Sequence, residues 1–171
     1  MTFLESIVHD LKRTKKQVEK AIAQVADEDL HWQADAESNS IAIIMKHMAG
    51  NMLSRWTDFL TTDGEKQTRD RDGEFLDSFT ARTDLMAFWE RGWECALAAM
   101  QSLSAEDLEK TVVIRGEPHS VPLALVRQLS HYSSHAGQII FIAKHRAGDR
   151  WNTLTVPRNR SRDAAPRYMG R

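Results

Sequence analysis

The stretch from Ser120 to Arg146 is the longest uninterrupted helical pattern in this chain of 171 residues, and it carries two histidines four positions apart, His131 and His135. Ser120 offers an N-cap hydroxyl, Pro122 lies in the first turn where a missing N–H is harmless, and Gly148 marks the stop. At 3.6 residues per turn, positions i and i+4 stack on one face. With His131 set at zero, His135 falls at about 40°, Ala124 and Ile142 at about 20°, and Ile139 at about 80°. Leu125, Leu129, Ala136 and Ile140 carry the apolar arc to about 180°. Both imidazoles therefore turn toward a core, at the edge of its apolar arc, with Gln128 and Gln138 beside them. Such a helix needs facing helices to bury the arc and partners for the inward polar rings.

Three further stretches have helical spacing. The first runs from about Thr2 to Val25 and the second from Asn39 or Ser40 to about Leu60. The third runs from about Thr83 to Leu103. The connection after the first is polar, with Leu30 and Trp32 as expected anchors, and that after the second, TTDGEKQTRDRDGEF, mixes both charge signs densely. Before the last helix, TVVIRGEPHSV puts two short extended pieces around Arg115-Gly116, the pattern of a small hairpin. After Gly148 the chain is irregular, with Trp151, Leu154 and Val156 as expected anchors. The expected fold is all-α, a four-helix bundle with long connections and a small β-hairpin before the last helix. We expect one domain over residues 1–171, with an irregular tail from about 148.

The second helix repeats the arrangement of the last. With His47 at zero, Asn51, Arg55 and Asp58 fall between about 20° and 80°, beside an oily face of Ile44, Met45, Met48, Met52 and Phe59. His47 thus heads a polar strip on a core-facing edge. Three imidazoles from two facing helices can grip one cation and leave a coordination position open, as catalytic sites do. On spacing and azimuth alone, each inward histidine is equally compatible with a hydrogen-bonded core residue. His9 and His31 lack such a setting, His145 lies nearly on the face of His131 but more than three turns away near the helix end, and His119 in the hairpin is a distant reserve ligand.

Composition excludes several partners. The net charge of −1 gives no global field for nucleic acid or an anionic membrane. Five arginines against Asp163 give residues 152–171 a net +4 (Arg158, Arg160, Arg162, Arg167 and Arg171), but a short Pro-containing terminus is expected to pack or stay solvated rather than bind nucleic acid. No apolar run approaches the roughly 20 residues of a membrane span. The single cysteine, Cys95, fits a reducing cytosol, and the charged start MTFLESIVHDLKR lacks the apolar segment of a signal peptide. The expected compartment is therefore the cytoplasm.

The segments SIAIIMKHMAGNMLSRWTDFLTTDGEK with RDRDGEF, and VPLALVRQLSHYSSHAGQIIFIAKH with WNTLTVP, resemble a branch of the DinB/YfiT-like superfamily of metal-dependent enzymes over most of Ser40 to Pro157. The resemblance implies a four-helix bundle with one divalent ion, nickel or zinc, held by one histidine of the second helix and two of the fourth. In this chain those are His47, His131 and His135. Some relatives transfer low-molecular-weight thiols such as bacillithiol or mycothiol to electrophiles, while others, including this branch, have no assigned activity. Relatives are often homodimers, and the aromatic-rich third helix, with Trp89 and Trp93, offers an interface. The family name reflects induction by DNA damage, not DNA binding.

A divalent ion on three neutral imidazoles keeps its full charge and favours an anionic fourth ligand, hydroxide or thiolate. Soft sulfur suits zinc or nickel. Asn51 and Arg55 are candidates to bind the carboxylate of a small-molecule substrate, or to form a salt bridge to Asp58 or the next loop. Gln128 and Gln138 are candidates to orient the imidazoles, and Tyr132 to deliver a proton or simply to pack. The charged loop from Asp63 to Glu74 is a candidate cover for the site, or a solvated ion-paired segment. No residue emerges as a catalytic acid or base. The leading expectation is a cytosolic metalloenzyme of the thiol-transferase kind; the alternatives are a metal-dependent hydrolase and a non-catalytic, stress-related metal-binding protein.

Overall fold

A computed structural model describes residues 1–163 of the chain, so Arg167 and Arg171 of the basic tail lie outside the described residues. Four helices appear in the expected order: α1 (Phe3–Ile22), α2 (Ile41–Trp56), α3 (Arg82–Gln101) and α4 (Val121–Ala147). Between α3 and α4 lie β1 (Thr111–Ile114) and β2 (Glu117–Ser120), an antiparallel pair in which Val112 opposes His119. Short 3-10 turns fill the remaining connections.

Local chemistry sets the boundaries. Thr2 and Glu5 form a reciprocal capping box at the start of α1, and the hydroxyls of Ser40 and Ser120 accept from Ile43 N–H and Leu123 N–H to open α2 and α4. The hairpin turns at Arg115 and Gly116, both with positive φ (57° and 75°), as a two-residue primed turn requires. The second helix ends four residues before the expected Leu60. Thr57 is already extended and its Oγ1 donates to Leu53 O at 2.7 Å, which closes the last turn; Asp58 then takes φ 48°. Asp58 therefore leaves the His47 face, while Phe59 folds back against Trp56 with ring centroids 4.6 Å apart.

The helices pack chiefly as α2 on α3 and α1 on α4, with α2 meeting α4 at the centre. Leu11, Val18, Ile41, Met45, Met48, Met52 and Leu125 are fully buried, and so are Trp89 and Trp93. Those two tryptophans lie in the core of their own chain, one of the two places, core or dimer interface, that the sequence allows them. Trp151 and Leu154 pack on the core as expected, whereas Val156 is exposed. Among the described residues no helix is long and apolar enough to cross a membrane.

Candidate metal centre

α2 and α4 run antiparallel where they meet, because Asn51 and Trp56 both bond to Tyr132 while His47 reaches His131 and His135. The polar strips predicted on the two helices therefore face each other inside the bundle. Nε2 of His131 lies 3.3 Å from Nε2 of His47 and 3.1 Å from Nε2 of His135. Among the described residues these three side chains form a group able to hold a metal ion, with all three ligand atoms within 4.8 Å of one another. A tetrahedral ion with metal–nitrogen bonds of about 2.0–2.1 Å sets neighbouring ligands about 3.3 Å apart. The spacing in the trio thus suits a cation at its centre. A single N–H on His131 could donate to only one of the two facing nitrogens.

Neutral imidazoles are needed for ligation, and the surroundings of the two α4 histidines favour that form. Burial, then any charge on His135 and His47, then Arg69 and Arg55, press His131 down to about 3. Burial likewise lowers His135, outweighing the opposing hydrogen bond from Gln138 and adding to the effect of His47.

The outer nitrogens fix which way two of the rings present their lone pairs. Nδ1 of His47 lies 2.9 Å from Oε2 of Glu74, and both side chains are buried. Burial pushes the Glu74 carboxyl up, but the bonds from His47 and Arg69 overcome this and leave it below its ordinary value. A carboxylate only accepts, so His47 donates from Nδ1 and turns the Nε2 lone pair inward. Nδ1 of His135 similarly donates to Gln138 Oε1 at 2.9 Å. Among the described residues Nδ1 of His131 is buried without a partner, as is Oε1 of Gln128 one turn away.

Glu74, Arg69 and Phe75 had no expected role of their own, although they belong to or border the charged loop proposed as a cover. Phe75 stacks on His47 at 4.7 Å, and Arg69 donates to both oxygens of Glu74 at 2.7 Å while also holding Glu65. The loop is pinned at both ends. Lys46 donates to Gly73 O, Leu76 O and Ser78 Oγ, and Asp63 accepts the backbone N–H groups of Arg115 and Gly116. One trace of Glu74 does exist in the sequence. Gly50 lies one turn past His47, and a Cβ there would meet Glu74 Oε1 at 2.4 Å. That glycine leaves room for the carboxylate.

The remaining site candidates divide. Asn51 accepts from the Tyr132 hydroxyl at 2.9 Å, and Trp56 Nε1 donates to the same hydroxyl at 3.0 Å; all three side chains are buried. Burial pushes the Tyr132 phenol up, and its proton is engaged by Asn51. These groups brace α2 against α4. Arg55 is buried under Gly64, with Glu65 at 3.8 Å, so it meets the following loop rather than Asp58. Its Nε and Nη1 have no hydrogen-bond partner among the described residues. His119 lies on the exposed hairpin against Glu117 O and Arg127, apart from the trio, and His145 packs tilted against Trp32. Cys95 contacts Thr57 Oγ1 at 3.6 Å and does not belong to the trio.

Comparison with known proteins agrees with this architecture. The conserved protein of a locus from Enterococcus faecalis, known from its crystal structure, superposes with a TM-score of 0.67 over 87% of this chain and 99% of that one, at 15% identity. At that identity the likeness concerns the fold alone. No curated protein matches the sequence. The signature of the family described as "Protein of unknown function (DUF1572)" matches residues 1–160, nearly the whole length, and the chain belongs to that family.

Proposed function

We propose that this chain is a DinB-like metalloenzyme that transfers a low-molecular-weight thiol to an electrophilic carbon. One nickel or zinc ion would be held by His47, His131 and His135. The observation that carries the reading is the convergence of three Nε2 atoms, with His131 and His135 lowered by burial and with His47 and His135 oriented from behind by Glu74 and Gln138. A divalent ion in that trio supplies Lewis acidity and lowers the pKa of a thiol or water beside it.

The chain's own groups do the rest. Glu74 and Gln138 hold two rings in the tautomer that faces inward. Phe75 covers one side of His47 and limits the approach of water. In the transfer, the thiol proton passes to solvent, the sulfur electron pair forms the new C–S bond, and the leaving group departs with the pair of the bond that breaks. We place the protein in the cytosol, where such thiols are abundant and the lone Cys95 stays reduced, and read it as a homodimer, which sedimentation would test.

The test is metal content of untagged protein followed by a panel of bacillithiol, mycothiol, glutathione and cysteine with electrophilic acceptors. Turnover that needs both metal and thiol is the expected result. Turnover of esters or amides without thiol would move the assignment to a hydrolase. Stoichiometric metal with no turnover in either assay would leave a metal-binding protein without catalysis.

A further inference from the structure

A cavity of about 630 Å³ opens between α4 and the segment that leads into α2. Its size lies in the range of small-molecule sites. It adjoins the metal centre through Gln138, which lines it while accepting from Nδ1 of His135. Ile44, one turn before His47, forms part of its wall. From there the groove runs along α4 to His145, whose ring lies tilted against Trp32 with centroids 5.2 Å apart.

The walls indicate what would fit. Trp32, Phe141, Ile44 and Ile142 present aromatic and branched apolar surface, and Phe141 is 74% exposed at the rim. A phenyl ring left this far in water is unfavourable unless something covers it. Among the described residues the polar lining is mostly neutral, with Glu37 the one carboxylate; Arg146 lies over Trp32 with Cζ 5.3 Å from the ring centroid, but its Nε is held by Asp29 at 2.7 Å. That disfavours an anionic ligand. A second cavity of similar volume, on the loop side of α2, is lined by Lys46, Lys66, Arg69, Asp58 and Asp70. Its charges are already engaged: Lys46 holds three acceptors and Arg69 holds Glu65 and Glu74.

We infer that the Trp32–Phe141 groove binds the body of the electrophilic substrate, and that this body is an uncharged aromatic ring system. The inference rests on the enzymatic reading of the adjoining trio. An aromatic ring seated between Trp32 and Phe141 would lie within about one or two helical turns of His135, since Gln138 and Phe141 follow it by three and six residues.

The test titrates N-phenyl-1-naphthylamine, a neutral fluorescent aromatic probe, into the full chain with and without added zinc. Saturable binding to a single site is expected in both states, because the groove is built from side chains that do not hold the metal. Phe141→Ser should weaken it about tenfold. Leu123→Ser, on the same helix and also exposed, should leave it unchanged. The anionic 8-anilinonaphthalene-1-sulfonate should bind more weakly than the neutral probe. Wild-type affinity in Phe141→Ser, equal weakening in Leu123→Ser, or tighter binding of the sulfonate would overturn the proposal. Metal content measured on the same samples separates the two readings. A wild-type chain that binds the probe but no metal counts against the enzyme and supports the groove.

Discussion

Nδ1 of His47 and Oε2 of Glu74 are 2.9 Å apart in the protein interior, 27 residues apart in sequence, and the bond between them commits the opposite nitrogen of His47 to the centre of the histidine trio. Carboxylates placed behind ligand histidines fix the ring and raise its basicity. Glu74→Gln keeps the shape but replaces the charge. It should weaken zinc binding by about 10-fold to 100-fold in a chelator competition. Unchanged affinity would show that His47 needs no such support.

Gly50→Ala sets two effects against each other. An alanine within a helix is favoured over glycine by about 1 kcal/mol, yet its methyl would meet the Glu74 carboxylate. Metal affinity should fall as in Glu74→Gln, and thermal stability should not rise by the amount helix propensity alone suggests. Calorimetry with and without zinc measures both. A stabilised variant with full affinity would show that the loop simply moves aside.

His135→Ala should abolish stoichiometric zinc or nickel binding while the helical circular dichroism stays near wild type, because the ring is only half-buried. The metal-dependent rise in melting temperature should disappear with it, since only the folded chain presents all three rings. Full metal content in this variant would remove His135 from the ligand set.

The metal-free protein should lose stability on acidification. His131 is held at about 3 when folded, below its ordinary 6.5, so the unfolded chain takes up this proton first. The contribution of His131 is complete above about pH 6.5 and drains away as the pH falls toward about 3. His135, also lowered by burial, acts in the same direction. Urea midpoints should therefore decline across that window, and His131→Gln should flatten the decline by up to about one proton. An equally steep profile in the variant would mean that other groups carry the effect.

Cobalt-substituted protein should show no sulfur-to-metal absorption in the near ultraviolet until a small thiol is added, and Cys95→Ala should behave like wild type. Cys95 contacts Thr57 and is not part of the trio. A band present beforehand and lost in Cys95→Ala would mean that the chain closes its own coordination shell, which the thiol-transfer reading does not survive.

Much of this follows from local chemistry. Ser40, Ser120 and Gly148 bound their helices as capping rules require, Arg115-Gly116 turns the hairpin, and the 100° projection turns His47, His131 and His135 inward. These features depend on residues within a turn or two of each other, so periodicity carries them. The end of α2 is not legible in this way, because Thr57 competes for the carbonyl of Leu53 through its hydroxyl and the apolar spacing of Phe59 and Leu60 conceals that competition.

What sits behind the ligands could not be read in this way. Glu74, Arg69 and Phe75 belong to a loop without periodicity, and their position is set by Lys46 at one end and by the hairpin amides on Asp63 at the other. The same holds for the choice between Arg55 meeting Asp58 or Glu65. Sequence alone determined which side chains point inward, because a helix repeats every 3.6 residues wherever it is placed. Only the tertiary structure decided which charged groups meet them, because a buried carboxylate finds its partners by where the chain returns in space, and no local rule encodes that path.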